Sequence, residues 1–191
     1  MKLRLLFPIF LTLLFSSCSE KEKNIIPNEI SGSKNITSRD LKVNDSGLSQ
    51  ESVILKTAKG NITIKLYPNE APNTVTRFLK LVQDGFYDDL KFHRVHPKFL
   101  IQTGDPTGTG NGGSGEKLKA EFNKLQHIKG TVALARKPED IDSGDSQFYI
   151  SLTTLTHLDS NYTVFGQVVN GLETLDKINL NDKIITISIQ L

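Results

Sequence analysis

From Val53 onward the apolar residues fall into short runs whose spacing changes along the chain. Residues 53–57 and 61–67 are rich in β-branched side chains and flank a turn at Lys59-Gly60. Ile62, Ile64 and Leu66 alternate with polar neighbours, the pattern of a strand with one buried face. The period then changes. After Pro72-Asn73, the positions of Val75, Phe78, Leu79 and Val82 follow helical spacing, and Gly85 is placed to end the helix. Residues 91–95, 99–103, 131–135, 147–152 and 163–168 read as further strands. A short helix over 172–178 precedes a last strand in which Ile185, Ile187, Ile189 and Leu191 alternate with Thr186, Ser188 and Gln190. Eight strands and two helices, with most strands not separated by helices, predict a mainly β fold: an eight-stranded antiparallel sheet closed into a barrel and capped by the helices.

This pattern begins near residue 51, and what precedes it is different. Lys2 and Arg4 lead into the apolar stretch 5–15, too short for a permanent membrane span and suited to a cleaved signal over residues 1–17. Ser16 and Ser17 precede Cys18, the only cysteine. Leu14-Phe15-Ser16-Ser17-Cys18 resembles the bacterial lipobox, in which the cysteine is lipidated and becomes the mature N-terminus; the alternative is ordinary cleavage near Ser17 and a free thiol. A lone cysteine in an exported protein calls for an explanation, and lipidation supplies one. Residues 18–50 are polar and aperiodic, which predicts a flexible tether, the alternative being a segment that docks on the domain at 51–191. The expected location is the bacterial cell envelope, with the domain held at the membrane through Cys18 and facing the periplasm or the cell surface. Cleavage also removes Lys2 and Arg4, so 23 basic side chains fall to 21 against 21 acidic ones. A formally neutral mature chain argues against nucleic acid as a partner.

Three familiar chemistries are weak here. From Gly110 to Gly115 the glycines are spaced as in a phosphate loop, but Glu116 stands where that loop needs lysine. His93 and His96 lie three apart in an extended segment and point to opposite faces, so no metal site is expected. Ser143 and Ser146 lack a nucleophile elbow. What stands out is residues 92–105, where Arg94 sits among apolar side chains with Gln102 a few residues on. The residues alone leave Arg94 two readings, a partner for a carboxylate on the sheet surface or a guanidinium aimed into an apolar cleft. Leu100 and Gln102 share a face by the strand period, and Phe99 points the other way unless a bulge or turn intervenes.

Phe92-His93-Arg94-Val95 followed by Phe99-Leu100-Ile101-Gln102-Thr103-Gly104-Asp105 resembles the signature of the cyclophilins, the cyclosporin-binding class of peptidyl-prolyl cis–trans isomerases. Residues 130–136, 146–150 and 158–166 fit the same family in order, and the resemblance covers about residues 52–191. It implies isomerisation of X-Pro bonds in envelope proteins by a monomer that needs no cofactor and takes proline-containing polypeptides. By that resemblance Arg94, Phe99 and Gln102 are the catalytic set, with Arg94 bonding the prolyl nitrogen in the twisted transition state. Phe99, Leu100, Tyr149 and Leu158 match the walls of the proline pocket. Gln102 and Gln147 match the glutamines that orient substrate and arginine, and Ala135 and Arg136 the pair along the peptide groove. His93, His157 and Tyr162 complete the substrate contacts. His157 falls where cyclosporin-sensitive members carry tryptophan, which implies weak cyclosporin binding, and Asp145 replaces a usual glycine. Two rival functions remain: a proline-peptide-binding chaperone or adaptor without turnover, and a structural surface lipoprotein.

Overall fold

The computed structural model describes residues 52–190, so the signal, Cys18 and the tether lie outside the described residues. The chain runs through β1 (Ser52–Thr57), β2 (Gly60–Leu66), α1 (Pro72–Gln83), β3 (Arg94–His96), β4 (Leu100–Thr103), β5 (Thr131–Leu134), β6 (Phe148–Ser151), β7 (Val164–Asn170), α2 (Leu172–Leu175) and β8 (Ile184–Gln190). A single 3₁₀ turn at Thr156–Leu158 precedes β7. The strands form one antiparallel sheet in the order β3-β4-β6-β5-β7-β2-β1-β8.

The sheet curls but does not close. It is an open half-barrel, not the closed barrel its pattern predicted, and β3 and β8 are its edges. Residues 91–95, predicted as one strand, form a strand only in part. Only Arg94 and Val95 of that run enter β3, while Phe92 is fully buried and its backbone N–H donates to Asp182 O at 2.8 Å. Lys91 makes one isolated bridge with Lys183, so a single bridge stands where a ladder was expected.

The last strand departs from simple alternation as well. Ile187 is buried, but Ile185 is 57% exposed and Ile184 takes the inward place. Lys56 pairs with Thr186 and Thr57 with Ile184, so the register skips Ile185. Such a bulge turns one side chain to the opposite face. The second helix is also shorter than expected, ending at Leu175.

Helix α1 ends as its glycine predicted. Gly85 takes a φ of 68°; its N–H donates to Val82 O and that of Phe86 to Leu81 O, the paired bonds of a Schellman motif. The other end is capped from afar. Glu121 accepts the N–H groups of Asn73 (3.0 Å) and Thr74 (2.8 Å) together with both side chains. An anion at the helix N-terminus satisfies donors that have no intrahelical partner. Burial works to raise the Glu121 pKa, but these hydrogen bonds hold it below the usual carboxylate range.

Two apolar clusters lie on opposite faces of the same strands. Ile101, Val132, Leu134, Phe148, Ile150 and Phe165 join the main core, where Phe78 of α1 packs edge-on against Phe148 at 5.5 Å. Their strand neighbours Leu100, Ala133, Tyr149 and Val164 point outward into a smaller cluster with Phe99, Leu158 and Tyr162. Central strands buried on both faces lose the polar alternation seen in β2. The outer cluster is where the sequence motif comes together.

Candidate active site

Arg94 and Gln102 face each other directly in the β3–β4 register. Arg94 Nη1 donates to Gln102 Oε1 at 3.2 Å, and Gln102 Nε2 donates to Gln147 Oε1 at 2.8 Å. Gln147 Nε2 in turn donates to the carbonyls of Gly110 (3.0 Å) and Gly112 (2.7 Å). A donor chain thus runs from the arginine through two amides into the glycine-rich loop. Among the described residues no carboxylate pairs with Arg94. The surface ion-pair reading of Arg94 has no support, and an exposed guanidinium is left beside an apolar cluster.

Phe99 reaches that cluster because it is not a strand residue. β4 begins at Leu100, and Phe99 closes the turn His96-Pro97-Lys98-Phe99, its N–H donating to His96 O at 3.0 Å. Pro97 pre-sets the second turn position and Lys98 takes a φ of 61° at the third, the arrangement of a type II turn. The turn frees Phe99 from the alternation that binds Leu100 and Gln102. Its ring stacks on His157 (6.0 Å, 11°) and meets His96 edge-on at 5.4 Å. Leu100, Tyr149 and Leu158 belong to the same cluster, with Ala135 and Tyr162 packed against it.

His93 has both ring nitrogens buried without a hydrogen-bond partner. Burial holds its pKa below the usual imidazole value, and Arg94 adds to this while Asp105 opposes it. The Arg136 guanidinium is engaged within the protein. It donates to the carbonyls of Asn161, Lys137 and Pro138 and lies 4.7 Å from the Tyr162 ring centroid. That bracing ties the 136–138 turn to the segment bearing His157, Leu158 and Tyr162.

Three residues to which the sequence assigned no role at the site organise the surroundings. Asp105, 1% exposed, accepts the N–H groups of Thr107 (2.7 Å), Thr109 (3.0 Å) and Gly110 (2.6 Å) and the Thr107 hydroxyl (2.8 Å). Burial alone would raise its pKa, but these donors bring it down to about 2. Asp145 receives the N–H of Ser114 at 3.0 Å and of Gly115 at 2.9 Å, and also the Ser114 hydroxyl, so the glycine-rich loop hangs on two carboxylates. His127, fully buried, bonds the Tyr149 hydroxyl and Asp159. For Asp105 a signal was available, since a carboxylate beside a glycine-rich run finds unpaired backbone donors, but Asp145 lies 30 and 31 residues from the donors it accepts. His127 gave none, because its partners are 22 and 32 residues away.

The arrangement offers an apolar cluster, an uncompensated cation at its edge and amides fixed by their own hydrogen bonds. No cluster of three or more metal-ligating side chains is present among the described residues. Comparison with known proteins agrees with the geometry. The family model of cyclophilin type peptidyl-prolyl cis-trans isomerases matches residues 52–186. A peptidyl-prolyl cis-trans isomerase of Synechococcus elongatus is 44% identical over 138 residues, covering 71% of this chain and 94% of its own. One from Helicobacter pylori is 42% identical over 132 residues, covering 67% of this chain and 80% of its own. Among solved structures, a Cryptosporidium parvum cyclophilin type isomerase superposes with a TM-score of 0.70 at 29% identity, covering 74% of this chain and 98% of that one. The same protein in the presence of the dipeptide Ala-Pro gives 0.68, covering 73% of this chain and 99% of that one. The chain belongs to the cyclophilin type peptidyl-prolyl cis-trans isomerases, and its activity is the isomerisation of X-Pro peptide bonds.

Proposed function

We propose that this isomerase works by stabilising the twisted amide with Arg94, and that it does so on proline-containing segments of envelope proteins. The planar X-Pro amide resists rotation by about 20 kcal/mol because the nitrogen lone pair is shared with the carbonyl. Twisting ends that sharing and leaves a basic lone pair on the prolyl nitrogen. A guanidinium stays protonated at any relevant pH and donates to this nitrogen as it pyramidalises. The planar ground state offers no such acceptor, so the bond strengthens only on the way to the transition state, which is what catalysis requires. The observation that carries the reading is the Arg94 guanidinium, bonded to Gln102 Oε1 and unpaired by any described carboxylate, beside the Phe99–Leu100–Tyr149–Leu158 cluster. In this reading the cluster takes the proline ring, Gln102 and Gln147 hold the flanking peptide and the arginine, and the groove continues along Ala135 and the Arg136 backbone. Substituting Arg94 tests it: turnover should fall while a proline peptide still binds, and unchanged turnover in a folded variant would sink it.

The pocket wall sets ligand preference. An indole presents a broad apolar face and one N–H donor, whereas the His157 ring is smaller and more strongly hydrated. Cyclosporin, a large apolar ligand leaning on that wall, should therefore inhibit weakly, and His157→Trp should tighten inhibition by roughly ten- to a hundredfold. Turnover of a short peptide should change little, since His157 meets the pocket through the Phe99 ring alone in the aromatic contacts seen. Inhibition constants for the two proteins decide the matter, and tight inhibition of the unchanged chain would count against the role of His157.

The envelope setting rests on Cys18, which lies outside the described residues. The mature chain should partition with membranes through an acylated Cys18, because stable anchoring takes more than one acyl chain and a lipoprotein N-terminus carries them. Cys18→Ser should release the protein or leave it unprocessed. Mass spectrometry of the mature N-terminus checks this, and an unmodified terminus at another residue overturns it.

A further inference from the structure

The Tyr149 hydroxyl does not end at the pocket. It lies 2.9 Å from His127 Nε2, and His127 Nδ1 lies 2.9 Å from Asp159 Oδ1. Asp159 accepts the backbone N–H of His127 at 2.7 Å as well, and the backbone N–H of Leu155 donates to His127 O at 2.8 Å. In a neutral imidazole a carboxylate on Nδ1 fixes the proton there, which leaves Nε2 as the acceptor and Tyr149 as the donor. Burial pushes the Tyr149 phenol pKa well up, with Tyr162 and Asp159 adding to it and Arg136 opposing, so the hydroxyl keeps the proton it donates.

The geometry around this chain is restrictive. The rings of His127 and Tyr149 stack at 5.9 Å and 14°, and Tyr162 meets both edge-on, at 6.4 Å from His127 and 5.6 Å from Tyr149. Tyr162 in turn carries the Arg136 guanidinium. Tyr149 belongs to β6, while Asp159 adjoins Leu158 in the segment after that strand, so among the described residues His127 is the one side chain that bonds both. A buried phenol without its acceptor is left unsatisfied, and any shift of the Tyr149 ring to relieve this displaces the wall it forms.

We infer that His127 is a positioning residue for isomerisation, fixing the Tyr149 wall of the proline pocket relative to the Leu158 segment through the Tyr149–His127–Asp159 hydrogen-bond chain. The inference rests on the reading of Tyr149 as a pocket wall. Holding a wall in place acts equally on ground and transition states, so its loss appears in KM and little in kcat.

The experiment measures kcat and KM of the full chain for a short proline peptide in four variants. His127→Phe should raise KM by about fivefold with kcat within about twofold of wild type. Adding Tyr149→Phe to it removes the stranded hydroxyl, since deleting both partners of a buried bond costs far less than deleting one, and KM should return most of the way. A histidine that merely braced its own loop would not be rescued from the Tyr149 side, so a double variant as poor as His127→Phe overturns the inference, as does an unchanged KM in His127→Phe. Tyr149→Ala separates the two levels: an unchanged KM there sinks the pocket reading and the inference with it, whereas a raised KM beside an unaffected His127→Phe sinks the inference alone. Tyr149→Phe alone should raise KM less than His127→Phe does, because no hydroxyl is stranded; a rise as large as that of His127→Phe overturns it. Should His127→Phe not fold, side-chain nitrogen shifts of wild type decide: an Nδ1–H tautomer with Nε2 as acceptor is expected, and an Nε2–H tautomer overturns the chain.

Discussion

Arg94→Ala is expected to lower kcat/KM by at least about tenfold, equivalent to about 1.4 kcal/mol or more of lost transition-state stabilisation. The fall should appear in kcat, with peptide affinity nearly kept, because the apolar cluster proposed to take the proline does not include the arginine. Arg94 is exposed in the free protein and its Nη1 is held by Gln102. A bound peptide would cover it, and a charge–dipole contact gains strength once water is excluded. Arg94→Lys should recover only part of the loss. Lysine restores the charge, but as a compact ammonium it lacks the planar fork that can bond Gln102 and the prolyl nitrogen together. Isomerisation rates on one proline peptide, with binding followed separately by NMR titration, check both variants. Wild-type turnover in a folded Arg94→Ala protein would end the mechanism.

Much of the fold was legible because its strands carry local signals. The β1–β2 hairpin follows from Lys59-Gly60 between two alternating runs, and α1 from helical spacing stopped by Gly85. What escaped depends on contacts distant in sequence. The sheet stays open between β3 and β8, and the buried Phe92 meets residues 181 and 182 there through its backbone, contacts that no pattern near Phe92 announces. Ile185 looks like an inward residue until the β1 register skips it. Glu121 caps a helix by accepting from Asn73, 48 residues earlier in the chain. The candidate site divides the same way. Leu100 and Gln102 share a face by period, but Phe99 joins them only through the Pro97-Lys98 turn, and Tyr149 and Leu158 arrive from other segments. Resemblance assembled a site that spacing could not.

The second large effect is expected at a residue that touches no substrate. Asp105→Asn should lower stability by on the order of 2–3 kcal/mol, the scale for losing charge-assisted hydrogen bonds at a buried carboxylate. Every partner of Asp105 is a donor: three backbone N–H groups and one hydroxyl. An amide keeps one acceptor oxygen and turns two N–H bonds toward donors, so it cannot replace the carboxylate. The damage should reach the active site, because the N–H of Gly110 is fixed by Asp105 while the carbonyls of Gly110 and Gly112 fix Gln147. Gln147 loosened on that side no longer holds Gln102, and Gln102 no longer aims Arg94. A fall of about tenfold in kcat/KM is expected, matching roughly 1.4 kcal/mol of misalignment. Acid should remove the difference. The folded-state pKa of Asp105 is depressed to about 2, so its contribution is complete above the ordinary carboxylate range and is lost as pH falls through about 2. Wild type and Asp105→Asn should therefore differ most near neutral pH and converge in strong acid. Urea unfolding of both proteins across that range is the measurement. Equal stability near neutral pH, or a gap that stays constant as the carboxylate protonates, would show that the loop does not hang on Asp105.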